Sequence, residues 1–91
     1  MVLYSKHIIL ESEEFDGFLE LEHGKIQGIH KSWEGSYEDY SNCVILPGFI
    51  DIHVHGWATG SFWYEKTEES LRKMCHTLPF SGVTSYLGTT G

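Results

Sequence analysis

The sequence predicts an α/β chain: short strands first, then one βαβ unit that opens a larger α/β fold. Three observations carry this. The stretch "GFLELEHGKIQGIHK" alternates apolar and polar residues around a turn, the pattern of a hairpin. The run "CVILPGFIDIHV" is almost continuously apolar, as in a strand covered on both faces. Residues 67–79 then repeat apolar positions at helical spacing, and the β-branched "VTSYLGTT" follows.

Taken in order, "VLYSKHIIL" is rich in β-formers and predicts the first strand. The acidic residues Glu11, Glu13, Glu14 and Asp16 predict a solvated loop after it. In the hairpin, Leu19 and Leu21 face one way and Glu20 and Glu22 the other, with His23-Gly24 at the turn. Gly28 interrupts the return strand, which predicts a bulge or a close backbone approach. "SWEGSYEDYSN" is polar and turn-rich, a loop with room for one short strand.

The second half begins with the apolar run from Cys43. "HGWATGSFWYEK" reads as a loop. Thr67 is a good helix N-cap, and Glu68 and Glu69 lie in the first turn, where the helix dipole favours anions. Leu71, Met74, Cys75 and Leu78 form one apolar face, so Cys75 is expected in the core. Arg72, Lys73 and His76 suit the C-terminal end, and Pro79 stops the helix. Strand, helix and strand at this spacing predict two parallel neighbouring strands with a right-handed crossover.

Composition narrows the function classes. With 6 Lys and Arg against 13 Asp and Glu, the net charge is −7, and the cations form no patch. That argues against nucleic acid and anionic membrane as partners. A hydrophobic share of 41% fits a globular chain rather than a disordered one. Cys43 and Cys75 lie in unrelated contexts without CxxC spacing, which predicts two free thiols in a reducing compartment. No signal-peptide pattern and no apolar run of membrane-spanning length occurs, so a cytoplasmic location is expected.

The most informative stretch is "PGFIDIHVHG", Pro47 to Gly56. In a strand, residues i and i+2 project from one face, so His53 and His55 point together. Two such imidazoles suit a shared metal ion, typically zinc, although two ligands do not fill its usual three or four. The pair sits where an apolar parallel strand ends before a Gly-containing loop, the end at which α/β folds bind ligands. Asp51 is next on that face, a candidate acceptor to orient a ligand imidazole. The plainer reading, incidental histidines on an edge strand, stands beside this one. His7, His23, His30 and His76 read as isolated surface or capping groups.

"VILPGFIDIHVHG" resembles the first barrel strand of the amidohydrolase superfamily, with its PGxIDxHxH signature, and "GFLELEHGKIQGI" resembles the start of that superfamily's small β-sandwich. The helix leading into "GVTSYLGTT" resembles the N-acetylglucosamine-6-phosphate deacetylases within it. The resemblance implies part of an N-terminal β-sandwich over residues 1–43. Over 44–91 it implies the first βαβ unit of a (β/α)8 TIM-like barrel, incomplete because such a barrel takes roughly 200 residues or more. It implies a deacetylase in which a divalent metal, zinc or iron as one or two ions, activates water against the acetamide of an amino-sugar phosphate. His53 and His55 match the metal-ligand positions, and a homo-oligomer is implied for the complete enzyme. The catalytic aspartate and the other ligands would lie beyond Gly91, so residues 1–91 alone are expected to be inactive. The aspartates expected in the loop after the histidines are replaced by "WATGSFWYEK".

Two alternatives remain at this point: a dihydropyrimidinase-like cyclic-amide hydrolase, and a non-catalytic β-rich module. Gly56, Trp57 and Thr89 are candidates for the rim of a substrate pocket. Trp57, Phe62, Trp63 and Tyr64 would line that pocket or pack the barrel mouth, packing being the commoner use of aromatics. Thr90 ends the strand on the same rim as Thr89.

Overall fold

A computed structural model describes residues 1–57 and 60–89, except for the side chain of Phe62. It is a small α/β structure, mostly strands, in two compact units, Met1–Pro47 and Gly48–Gly91. The division falls between Pro47 and Gly48, a little beyond the Cys43 boundary drawn from sequence.

The first unit is one five-stranded sheet. Strand β1 (Val2–Ile9) pairs antiparallel with β2 (Glu14–Glu22), which pairs antiparallel with β3 (Lys25–His30). Two short strands, β4 (Glu38–Asp39) and β5 (Val44–Ile45), pair in parallel with β1. Val2, Ile8 and Leu19 are buried. The β2–β3 hairpin turns at His23 (φ 53°) and Gly24 (φ 73°). Positive φ at both central residues is what a two-residue turn of matching twist requires, and Asn, Asp, His and Gly tolerate it best. Glu20 pairs with Gly28 but Leu21 with Ile26, so Gln27 is the extra residue of a bulge beside Gly28.

A second bulge was not read from sequence. The β1–β2 register shifts between Ser5 and Ile8. Ser5 is fully buried there, donates from Oγ to the Cys43 carbonyl at 2.6 Å and accepts from the His7 N–H at 2.9 Å. Both capacities of the hydroxyl are used, so a polar group sits at no net loss in the interior.

The acidic stretch differs from the predicted loop. Glu14 and Asp16 lie on β2. Glu14 Oε1 is 2.7 Å from His7 Nδ1, and Asp16 Oδ1 accepts from the Tyr4 hydroxyl at 3.0 Å. That bond is the main reason the Tyr4 phenol is held above its ordinary value. His7 and His30 are therefore not isolated: His30 Nε2 lies 2.9 Å from Glu20 Oε1. Cross-strand partners decide these contacts, and they are distant in sequence.

The apolar run "CVILPGFIDIHV" is not one strand. Val44–Ile45 belongs to the first sheet, and β6 (Phe49–Val54) pairs with another strand. Pro47 lies between them, without an N–H to continue a ladder. Nor is β6 covered on both faces: Phe49 is 58%, Ile50 70% and Ile52 74% exposed. Among the described residues it has a single strand neighbour.

In the second unit β6 pairs in parallel with β9 (Val83–Gly88). The loop predicted between them holds structure. β7 (Gly56–Trp57) and β8 (Gly60–Ser61) pair antiparallel, and a one-turn helix, α1 (Phe62–Glu65), follows. The main helix, α2 (Glu68–Thr77), is capped as predicted: Thr67 Oγ1 accepts from the Ser70 N–H at 3.2 Å. Pro79 ends it within a 3-10 turn (Leu78–Ser81), and Gly82 at φ 87° closes that turn. Met74, Leu78 and Val54 form the buried cluster, with Val83 and Tyr86 against it. Cys75 is exposed rather than in the core; Ser70 is the buried small residue of the helix. Cys75 lies one position round from Met74, and a single strand pair is too narrow to cover the whole helix face. Both cysteines are free, and among the described residues no helix is long and apolar enough to cross a membrane.

Candidate metal centre

The site is built on the end of β6. Val54 is buried beside Met74 and Leu78, and the residues flanking it, His53 and His55, are exposed. Alternation along an extended chain explains the split: Val54 is held inward, so its neighbours emerge on the other side. The two imidazoles stand edge to face with ring centroids 5.0 Å apart. His55 itself lies just past the strand, in a bend.

Three other groups shape this end. Asp51 Oδ1 accepts the backbone N–H of His53 at 3.0 Å, a local turn of the Asx kind, and so meets the main chain rather than an imidazole. The β6–β9 register shifts between Asp51 and Val54, where that turn sits. The Trp63 ring lies edge to face on His55, centroids 4.7 Å apart, and the backbone N–H of Trp63 donates to the His55 carbonyl at 3.0 Å. Nδ1 of His55 is 3.1 Å from the carbonyl oxygen of Thr89. A carbonyl only accepts, so Nδ1 is the donor here, and in the neutral imidazole Nε2 is then the nitrogen with the lone pair.

That donor set fits a metal in type but not in number. A neutral imidazole with its second nitrogen hydrogen-bonded to a carbonyl is the form that ligates metals. Among the described residues, however, no group of three or more His, Cys, Asp or Glu side chains is placed to hold an ion. His53 and His55 supply two nitrogens where zinc takes three or four protein ligands.

Of the remaining candidates, Gly56 and Trp57 form β7, with Trp57 exposed, and Thr89 contacts His55 directly. Tyr64 is exposed. Thr90 lies outside the described residues. Sequence reasoning did not single out Trp63 from its aromatic neighbours, nor the Thr89 carbonyl as a partner of His55. The aromatic run after the motif was the signal for the first; backbone acceptors leave none.

No protein-family model matches the chain, and no solved structure matches it significantly. Among curated proteins, the N-acetylglucosamine-6-phosphate deacetylase of Bacillus subtilis (strain 168) is 36% identical over 91 aligned residues, covering 91% of this chain. The chain spans 22% of that relative's length. The likeness predicted from "PGFIDIHVHG" and "GVTSYLGTT" is thus found across nearly the whole chain, which is similar to part of that N-acetylglucosamine-6-phosphate deacetylase.

Proposed function

We propose that this chain supplies the first metal-binding strand of a deacetylase that hydrolyses the acetamide of an amino-sugar phosphate, such as N-acetylglucosamine 6-phosphate. The observation that carries the reading is the His53–His55 pair at the end of a parallel strand, in a chain similar to a deacetylase of that name. His53 and His55 would hold a divalent ion, zinc or iron, with further ligands from elsewhere in the protein. Such an ion supplies Lewis acidity and lowers the pKa of a water molecule to the working range. Trp63 and the Thr89 carbonyl hold the His55 ring, and Asp51 holds the backbone at His53. On this reading β6, α2 and β9 begin a (β/α)8 barrel, the first unit belongs to a β-sandwich, and the enzyme is a cytoplasmic homo-oligomer.

The test is made on the complete protein of which residues 1–91 are a part, because these residues alone are expected to be inactive. Metal-loaded protein is assayed for release of acetate from N-acetylglucosamine 6-phosphate, beside a panel of cyclic amides. Turnover of the amino-sugar phosphate, lost on chelation and in His53→Ala and His55→Ala, is expected. Turnover of cyclic amides alone, or unchanged metal content in the two variants, would sink the reading.

A further inference from the structure

We propose that Thr89 is a positioning residue that fixes the tautomer and direction of the His55 imidazole. The inference rests on the metal-site reading above. Thr89 directly follows β9 and meets the end of β6 through three of its own groups. Its N–H donates to the Val54 carbonyl at 2.8 Å. Its hydroxyl accepts from the Val54 N–H at 3.0 Å and points its own hydrogen towards the Leu87 carbonyl at 3.4 Å. Its carbonyl accepts from His55 Nδ1 at 3.1 Å.

These bonds have a division of labour. The first two clamp Thr89 onto Val54, which is itself anchored by burial against Met74 and Leu78. With both sides of Val54 held, the Thr89 carbonyl comes to a set place beside residue 55. The ring nitrogen facing it must be the donor, so the other nitrogen is left as the acceptor for a metal. The clamp needs a side-chain oxygen because the β6–β9 ladder is irregular just before Val54. There the Thr89 hydroxyl, rather than a strand carbonyl, receives the Val54 N–H. Serine keeps that oxygen; valine keeps the shape and loses it. Trp63 limits the ring from another side, but an edge-on aromatic contact does not distinguish the two tautomers.

The test uses the complete protein of which residues 1–91 are a part, with 15N-labelled histidine, free of metal and in mildly alkaline buffer, so that imidazole tautomers are read from their nitrogen shifts. Zinc affinity is measured in parallel by competition with a chelating dye. Wild type and Thr89→Ser are expected to show His55 protonated at Nδ1. Thr89→Val is expected to populate the Nε2-protonated form and to bind zinc about tenfold more weakly, the lower end for loss of a partner behind a metal ligand. Nε2 protonation in the wild type overturns the proposal, and this measurement needs no variant to fold. So does a folded Thr89→Val with the wild-type tautomer and affinity, or a Thr89→Ser that behaves like valine. If no form binds zinc but the tautomers follow the expected pattern, the positioning role is supported and the metal-site reading is what fails.

Discussion

The Cys75 sulfur lies 3.3 Å from the hydroxyl of Tyr86, which also reaches the Leu71 carbonyl at 3.3 Å. The phenol is pushed from its ordinary 10.0 up to about 12, first by burial and then by the bond to Cys75 and repulsion from its sulfur. The folded state thus favours the neutral phenol. Its contribution to stability is complete below 10.0 and is lost as the pH rises through about 12. An ultraviolet titration should show a tyrosinate step near 12 that is absent in Tyr86→Phe. Cys75→Ala should move that step only part of the way down, because burial is the larger cause.

Gly48 in the "PGFIDIHVHG" motif has a steric reason. A Cβ there would overlap the Thr84 side chain on β9. Gly48→Ala should destabilise the protein by about 1–3 kcal/mol, as overpacking does. The measurement is the midpoint of urea denaturation. Thr84→Ala in the same chain should recover part of the loss but not all, since the Thr84 Cβ is also among the crowded atoms.

Loss of the helix cap is cheaper than loss of the core. Thr67→Ala leaves the Ser70 N–H without its side-chain acceptor and should cost about 1 kcal/mol. Thr67→Ser should cost much less, because it keeps the oxygen. Thermal melts followed by helical circular dichroism would show the order.

Met74 is completely buried at the centre of the second unit. Met74→Ala should cost about 2–5 kcal/mol, the range for truncating a core side chain. Cys75→Ala on the neighbouring exposed position should be several times milder. Equal losses in chemical denaturation would contradict the placement of the two residues.

The local elements were legible because their signals are local. His23-Gly24 is a turn by backbone preference, Thr67 is a cap by its side-chain oxygen, and Pro79 and Gly82 end the helix region by their own geometry. The contacts that were missed join residues far apart. Glu14 and Asp16 looked like loop acids until β1 placed His7 and Tyr4 beside them. Cys75 fitted the apolar helix face, but the width of that face is set by what packs on it. Residues 43–54 read as one buried strand because apolarity does not say which partner each half pairs with.

By itself, the sequence determined an α/β chain, the order of its main elements, the His-x-His pair and the likeness that the curated relative shows. These follow from periodicity, turn chemistry and a compact motif, all carried by neighbouring residues. Only the tertiary structure decided how the site is held. The Thr89 carbonyl selects the His55 nitrogen that stays free, Trp63 limits the ring, and Asp51 turns to the backbone. Those choices depend on β9 ending beside β6, which strand pairing creates and no short stretch of sequence contains.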